Sequence, residues 1–241
     1  MGIRALLMLL SFTGFANAAA LAPDPAQVRE AVVQVYGART AGAKGIFGVH
    51  TWVAVKPSNA RHYTVYEVIG WRLRWGDSPV VIRRRVPDAR WFGADPELVG
   101  DKRGPEAEAL LARVDKAARE YPWSSEYTAW PGPNSNTFTS WILRAVPELQ
   151  VDLPPTAIGK DYTGMKVIAA APSGVGFQFS LFGLLGVTAS AIEGVELNVL
   201  GLTFGLNPFD PALKLPVIGR VGVARDVGPK LAEDKATEPA I

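Results

Sequence analysis

Cysteine is absent from the 241 residues, and histidine occurs only twice, as His50 and His62. These two shortages exclude thiol catalysis, cysteine-held zinc and iron–sulfur clusters, and they leave too few imidazoles for a multi-histidine metal centre. No disulfide can staple the chain, so its fold rests on packing. No charge of one sign dominates: the formal net charge is +2. Removing Arg4 with the N-terminal segment discussed below takes this to +1 (2 − 1), too weak a field to drive nucleic-acid binding. The sequence has no phosphate-binding glycine loop, no dinucleotide fingerprint and no G-x-S-x-G elbow, so no cofactor is expected.

The N-terminus carries an address. Arg4 precedes a short apolar run over residues 5–15, and Ala16-Asn17-Ala18 has the small-x-small pattern of a cleavage site. The run is about half the ~20 residues needed to cross a bilayer. Residues 1–18 therefore read as a signal peptide, with the mature protein exported to the periplasm or cell envelope. Residues 19–223 are expected to form one α+β domain, and residues 224–241 a polar, frayed tail.

Along the mature chain, Val28, Ala31, Val32 and Val35 recur at helical spacing, predicting a helix over residues 24–36. Strands are expected over residues 46–56, 62–75 and 80–86, forming an antiparallel meander broken at Pro57-Ser58-Asn59 and at Gly76-Asp77-Ser78-Pro79. Residues 87–104 read as irregular. The clearest helix spans 105–121, opened by Pro105 and carrying one apolar stripe from Ala107 to Tyr121. A second is expected over 136–146, after the rigid Trp130-Pro131-Gly132-Pro133 turn. Residues 166–223 are glycine-rich and apolar, with short strands expected. Within them, residues 175–192 hold no charge and are barely long enough to span a membrane, but their glycines favour buried strands. Membrane association through residues 175–206 stays open.

Ser135 is the most suggestive side chain. It stands at the predicted start of a helix, where unpaired amides and the positive dipole end favour a developing anion. Equally, Asn134, Ser135 and Asn136 are residues that cap helices without any chemistry. A serine nucleophile requires a base. His50, mid-strand and on the face of Trp52, is the better placed of the two histidines, though a buried histidine bonded to backbone has the same pattern. Glu67 shares a strand face with apolar residues and would need a partner there, either His50 or an arginine such as Arg84. Arg72, Arg74, Arg83 and Arg85 are expected on neighbouring strands as an anion-binding patch suited to an envelope polymer or lipid headgroup, or simply as a solvated face.

The run Pro131-Gly132-Pro133-Asn134-Ser135-Asn136-Thr137-Phe138 resembles a bacterial family known as domain of unknown function 3750, whose hallmark is an N-S-N-T-F stretch. The likeness extends from about His50 through Glu193-Gly194-Val195-Glu196-Leu197 and Leu213-Lys214-Leu215-Pro216. A looser similarity is to circularly permuted papain-like proteins of the NlpC/P60 class, which act on peptide, amide or ester bonds. That likeness implies His50 as base, Ser135 at the nucleophile position normally held by cysteine, and Tyr127 near the oxyanion. With serine in place of cysteine, it implies either a serine hydrolase or a descendant that binds without catalysis.

Overall fold

A computed structural model describes residues 21–223 and residue 227. The expected signal peptide, 1–18, lies outside them, as does the tail 224–241 apart from Val227. The fold is α+β, with an antiparallel sheet, packed helices and a strand-rich C-terminal half.

The first sheet begins with β1 (Val32–Arg39), followed by a single helical turn α1 (Lys44–Phe47), β2 (Val49–Lys56), β3 (Thr64–Val68), β4 (Val80–Arg84) and β5 (Glu97–Arg103). Its strand order is β4-β3-β2-β1-β5, antiparallel throughout. Two helices follow, α2 (Gly104–Arg119) and α3 (Ser135–Ala145). Val33, Val35, Val53, Val55, Tyr66 and Val68 face these helices, meeting Leu110, Val114, Phe138 and Ile142 in the main core. The opposite face is also covered: Val32, Tyr36, Trp52, Ala54 and Val65 pack beneath Val28, Trp91 and Leu98.

Burial on both faces explains the main correction to the sequence reading. The segment expected as a helix over 24–36 contains most of β1 instead. A strand covered on both sides needs apolar residues at nearly every position, and Val32-Val33-Gln34-Val35-Tyr36 matches a helical stripe by accident. Gln34 is tolerated inside because it accepts the Tyr36 hydroxyl at 2.6 Å and donates to Asp101. The strand expected over 62–75 also stops early. At Gly70 the chain turns into a 3₁₀ helix, Gly70–Trp75, where a Cβ would lie 2.4 Å from the Tyr127 ring. Polar β5, within the span read as irregular, pairs along β1 at the sheet edge with a register shift at Val35/Tyr36.

The second sheet is a meander of seven strands: β6 (Ile168–Ala169), β7 (Phe177–Leu181), β8 (Leu185–Ser190), β9 (Gly194–Val199), β10 (Leu202–Asn207), β11 (Ala212–Leu215) and β12 (Gly219–Gly222). Residues 175–192, uncharged in sequence, thus lie mainly in β7 and β8. Among the described residues no helix is long and apolar enough to cross a membrane. The sheet is inverted relative to the expected buried strands: Gln178, Ser180, Thr188, Glu196, Asn198 and Lys214 point inward, while Phe177, Phe179, Val187, Leu197, Phe204 and Leu213 are exposed. Several inward polar groups meet buried charges or backbone: Gln178 and Ser180 donate to the Asp161 carbonyl and Asn198 to its carboxylate. Lys160 Nζ reaches Glu196 Oε2 at 2.5 Å and Asp161 Oδ1 at 3.0 Å; Lys214 Nζ reaches Glu196 Oε1 and Asp152 Oδ1, each at 2.6 Å. Burial disfavours the Lys160 charge, but Asp161 and Glu196 outweigh it and hold the ammonium's pKa well above its ordinary value.

Candidate functional site

The site gathers where β2 begins and α3 begins. Asn134 precedes α3 with an extended backbone, and its Oδ1 accepts the amides of Asn136 (2.9 Å) and Thr137 (3.2 Å). Thr137 Oγ1 returns the favour to the Asn134 amide at 3.1 Å, closing a capping box. Asn136 is a clamp rather than a cap. Its Nδ2 donates to the carbonyls of Val49 (3.0 Å) and Ile158 (2.7 Å), and its Oδ1 accepts from Thr51 Oγ1 at 2.9 Å. Gly159 completes the arrangement: at φ +95°, a Cβ there would sit 2.4 Å from Asn134 Nδ2.

Within this polar run only Ser135 is uncommitted. Among the described residues its hydroxyl has no hydrogen-bond partner. The amides of Asn134, Asn136 and Thr137 are all taken, which leaves the Ser135 amide as the first-turn donor without an internal acceptor. The capping expected of the trio therefore belongs to Asn134, and Ser135 has no share in it.

His50 stands on β2 beside Glu67 on β3. Its Nε2 lies 3.5 Å from Glu67 Oε2, long for a hydrogen bond, and neither atom has a better partner. Glu67 is completely buried, with Arg83 Nη2 at 3.2 Å and Arg85 Nε at 3.4 Å from its Oε1. Both partners weighed from sequence, histidine and arginine, are thus present. The arginine is not Arg84: register places Arg83 opposite Val65, on the Glu67 side of the sheet, and turns Arg84 away. Burial pushes the His50 pKa below its ordinary value, against the pull of Glu67, so the neutral imidazole is favoured. Burial alone would raise the Glu67 pKa; the neighbouring His50 and the Arg85 and Arg83 charges outweigh it and keep the carboxyl lowered and ionised.

A tight turn supplies the cover over His50. Trp91 lies flat on the imidazole, with ring centroids 3.7 Å apart and planes at 8°. Trp91 also meets Trp71 at 5.7 Å and Phe92 edge-on at 5.2 Å. None of these aromatic contacts was legible in sequence; the only signal was the Phe92-Gly93 pair, a turn dipeptide.

His50 and Ser135 line one cavity of about 950 Å³, together with Tyr127, Asn134 and Asn136. No direct hydrogen bond joins the two in this structure. His50 shares the β2 face of Trp52, whereas Asn136 is bonded to Thr51 on the other face, so the cavity wraps around the first residues of β2. Tyr127 rests against Gly70, and burial raises its phenol pKa. The arginines are not assembled as expected. Arg72 and Arg74 lie on the 3₁₀ helix, Arg72 paired with Asp77 at 3.2 Å, while Arg83 and Arg85 are turned to Glu67. The four share no sheet face. Among the described residues, no group of three or more histidine or carboxylate side chains is placed to hold a metal.

The chain belongs to the family described as "Protein of unknown function (DUF3750)", whose model matches residues 30–162. That span starts upstream of the His50 limit expected and ends before the second sheet. No curated protein and no solved structure matches the chain.

Proposed function

We propose, with membership of that family as the premise, that this is an exported cell-envelope protein with a degenerate papain-like core that hydrolyses amide or ester bonds. The observation carrying this reading is the shared cavity. It holds a neutral histidine braced by a buried carboxylate and a serine hydroxyl spared from capping at a helix start. With Nε2 turned to Glu67, Nδ1 is the nitrogen left to take a proton. Ser135 Oγ attacks the acyl carbon as its proton passes to His50. The Ser135 amide receives the developing oxyanion, and His50 then returns the proton to the departing amine or alcohol. Water, deprotonated by the same imidazole, releases the acyl group and restores the serine. Glu67 is a positioning residue that stabilises the imidazolium. Tyr127 borders the oxyanion position.

The absence of a direct Ser135–His50 hydrogen bond favours a second reading: a cavity that binds an envelope polymer, peptide or lipid headgroup without chemistry. Labelling with a fluorophosphonate probe separates the two. Hydrolysis requires that the purified mature protein be labelled, and that Ser135→Ala and His50→Gln abolish labelling while remaining folded. An unlabelled wild type leaves the binding reading.

A further inference from the structure

The cavity wall is largely apolar, with a polar group at the end where α3 and β2 begin. Asn134 and Asn136 lie on its wall, but their side chains are spent on the carbonyls of Ala129, Val49 and Ile158 and on the amides of α3. At that end, His50 and Ser135 remain able to engage a ligand. Phe47, Trp71, Trp91, Trp130, Leu200 and Leu202 make most of the remaining wall apolar, with Thr40, Lys44 and Tyr127 as its other polar side chains. The Trp130 indole N–H is spent on the Leu200 carbonyl at 2.9 Å.

Two residues at the cavity hold their apolar character against local preference. Phe92 (φ 48°) and Leu200 (φ 53°) each precede a glycine that also has positive φ, Gly93 and Gly201. Both pairs form two-residue hairpin turns whose first position is ordinarily Asn, Asp or Gly. A bulky side chain in left-handed backbone is strained. Both side chains are nevertheless largely exposed, 64% and 63%, so neither is repaid by burial in a core. A ligand that covers them supplies that compensation.

We infer that the cavity is a site for a long-chain acyl group, whose carboxyl carbon sits at the His50–Ser135 end and whose chain runs along the tryptophans to Leu200 and Leu202. Binding stands on the wall chemistry; cleavage of an acyl ester or amide rests on the hydrolase reading above.

Titration of the full mature protein with palmitate, followed by tryptophan fluorescence, tests this. Saturable binding is expected, because Trp71, Trp91 and Trp130 line the path. Vesicles of dioleoylphosphatidylcholine, titrated separately, distinguish a membrane-held acyl ester from the free acid, and saturation by either supports the site. Phe92→Asn and Leu200→Asn suit the turn backbone and should fold at least as well, yet each should weaken palmitate about tenfold. Absence of saturable binding to both ligands, or affinity unchanged in both variants, overturns the proposal. Binding without fluorophosphonate labelling would keep the acyl site and remove hydrolysis. Labelling without binding, and with p-nitrophenyl acetate cleaved as well as p-nitrophenyl palmitate, would keep hydrolysis and remove the acyl site.

Discussion

His50 and Trp91 are stacked almost parallel, 3.7 Å between ring centres, so the tryptophan is both a lid on the imidazole and a source of its desolvation. Opening that lid should let water reach the ring. In Trp91→Ala the His50 pKa is expected to rise toward its ordinary value of 6.5, as read from the imidazole proton shifts in an NMR titration. The lost stacking should also cost about 1 kcal/mol of stability.

The same burial sets a pH dependence. A folded-state pKa below 6.5 means that the unfolded chain binds the His50 proton more tightly. The stability tied to this group is complete above pH 6.5 and is lost as pH falls through the folded-state value. Glu67, also held below its ordinary 4.5, adds a second loss in the same direction at lower pH. Urea midpoints measured from pH 8 to pH 4 should therefore fall with acid, and His50→Gln should remove the upper step.

Glu67→Gln leaves Arg85, itself largely buried, without its counter-charge. Removing one member of a buried ion pair typically costs about 3–5 kcal/mol. Because Arg83 reaches solvent and can turn outward, the lower end of that range is expected here by urea denaturation. If the hydrolase reading holds, fluorophosphonate labelling should slow as well, with its pH profile displaced.

Asn136 and Ser135 are adjacent but should respond oppositely to truncation. Asn136→Ala removes the bonds to the carbonyls of Val49 and Ile158 and the acceptor of the Thr51 hydroxyl, with Ile158 keeping Asn134 Nδ2, and should cost about 2–3 kcal/mol. Ser135→Ala removes a hydroxyl that bonds to nothing among the described residues and should change stability by no more than about 0.5 kcal/mol. Equal losses in the two variants would contradict the division of labour in this run.

In the second sheet, Glu196 is shared by two buried lysines. Glu196→Gln should destabilise by about 3 kcal/mol, and Lys160→Met with Lys214→Met in the same chain should add to that loss, because it also takes the ammoniums from buried Asp161 and Asp152, as followed by thermal melting.

Local pattern carried the sequence reading where one rule governed. Pro105 and the stripe from Ala107 to Ala118 describe α2 because a helix on a sheet buries one face only. Local pattern likewise read the glycine-rich, apolar residues 166–223 as short strands. It failed at β1, where cover on both faces removes the alternation, and at Gly70, where the reason for the turn is a ring from residue 127, far along the chain. At the site, the identities of His50, Glu67 and Ser135 were legible as residue types needing partners. Trp91, Arg85 and Gly159 were not, because each acts through a contact that register and turn geometry create.

The second sheet turns its ionic side inward and its greasy side outward, which alters what melting it would release. Much of its aliphatic and aromatic surface already meets solvent, so unravelling β6–β12 hydrates little new hydrocarbon. Its calorimetric transition should carry a smaller heat-capacity increment per residue than that of β1–β5 with their helices. Cooling should weaken it less.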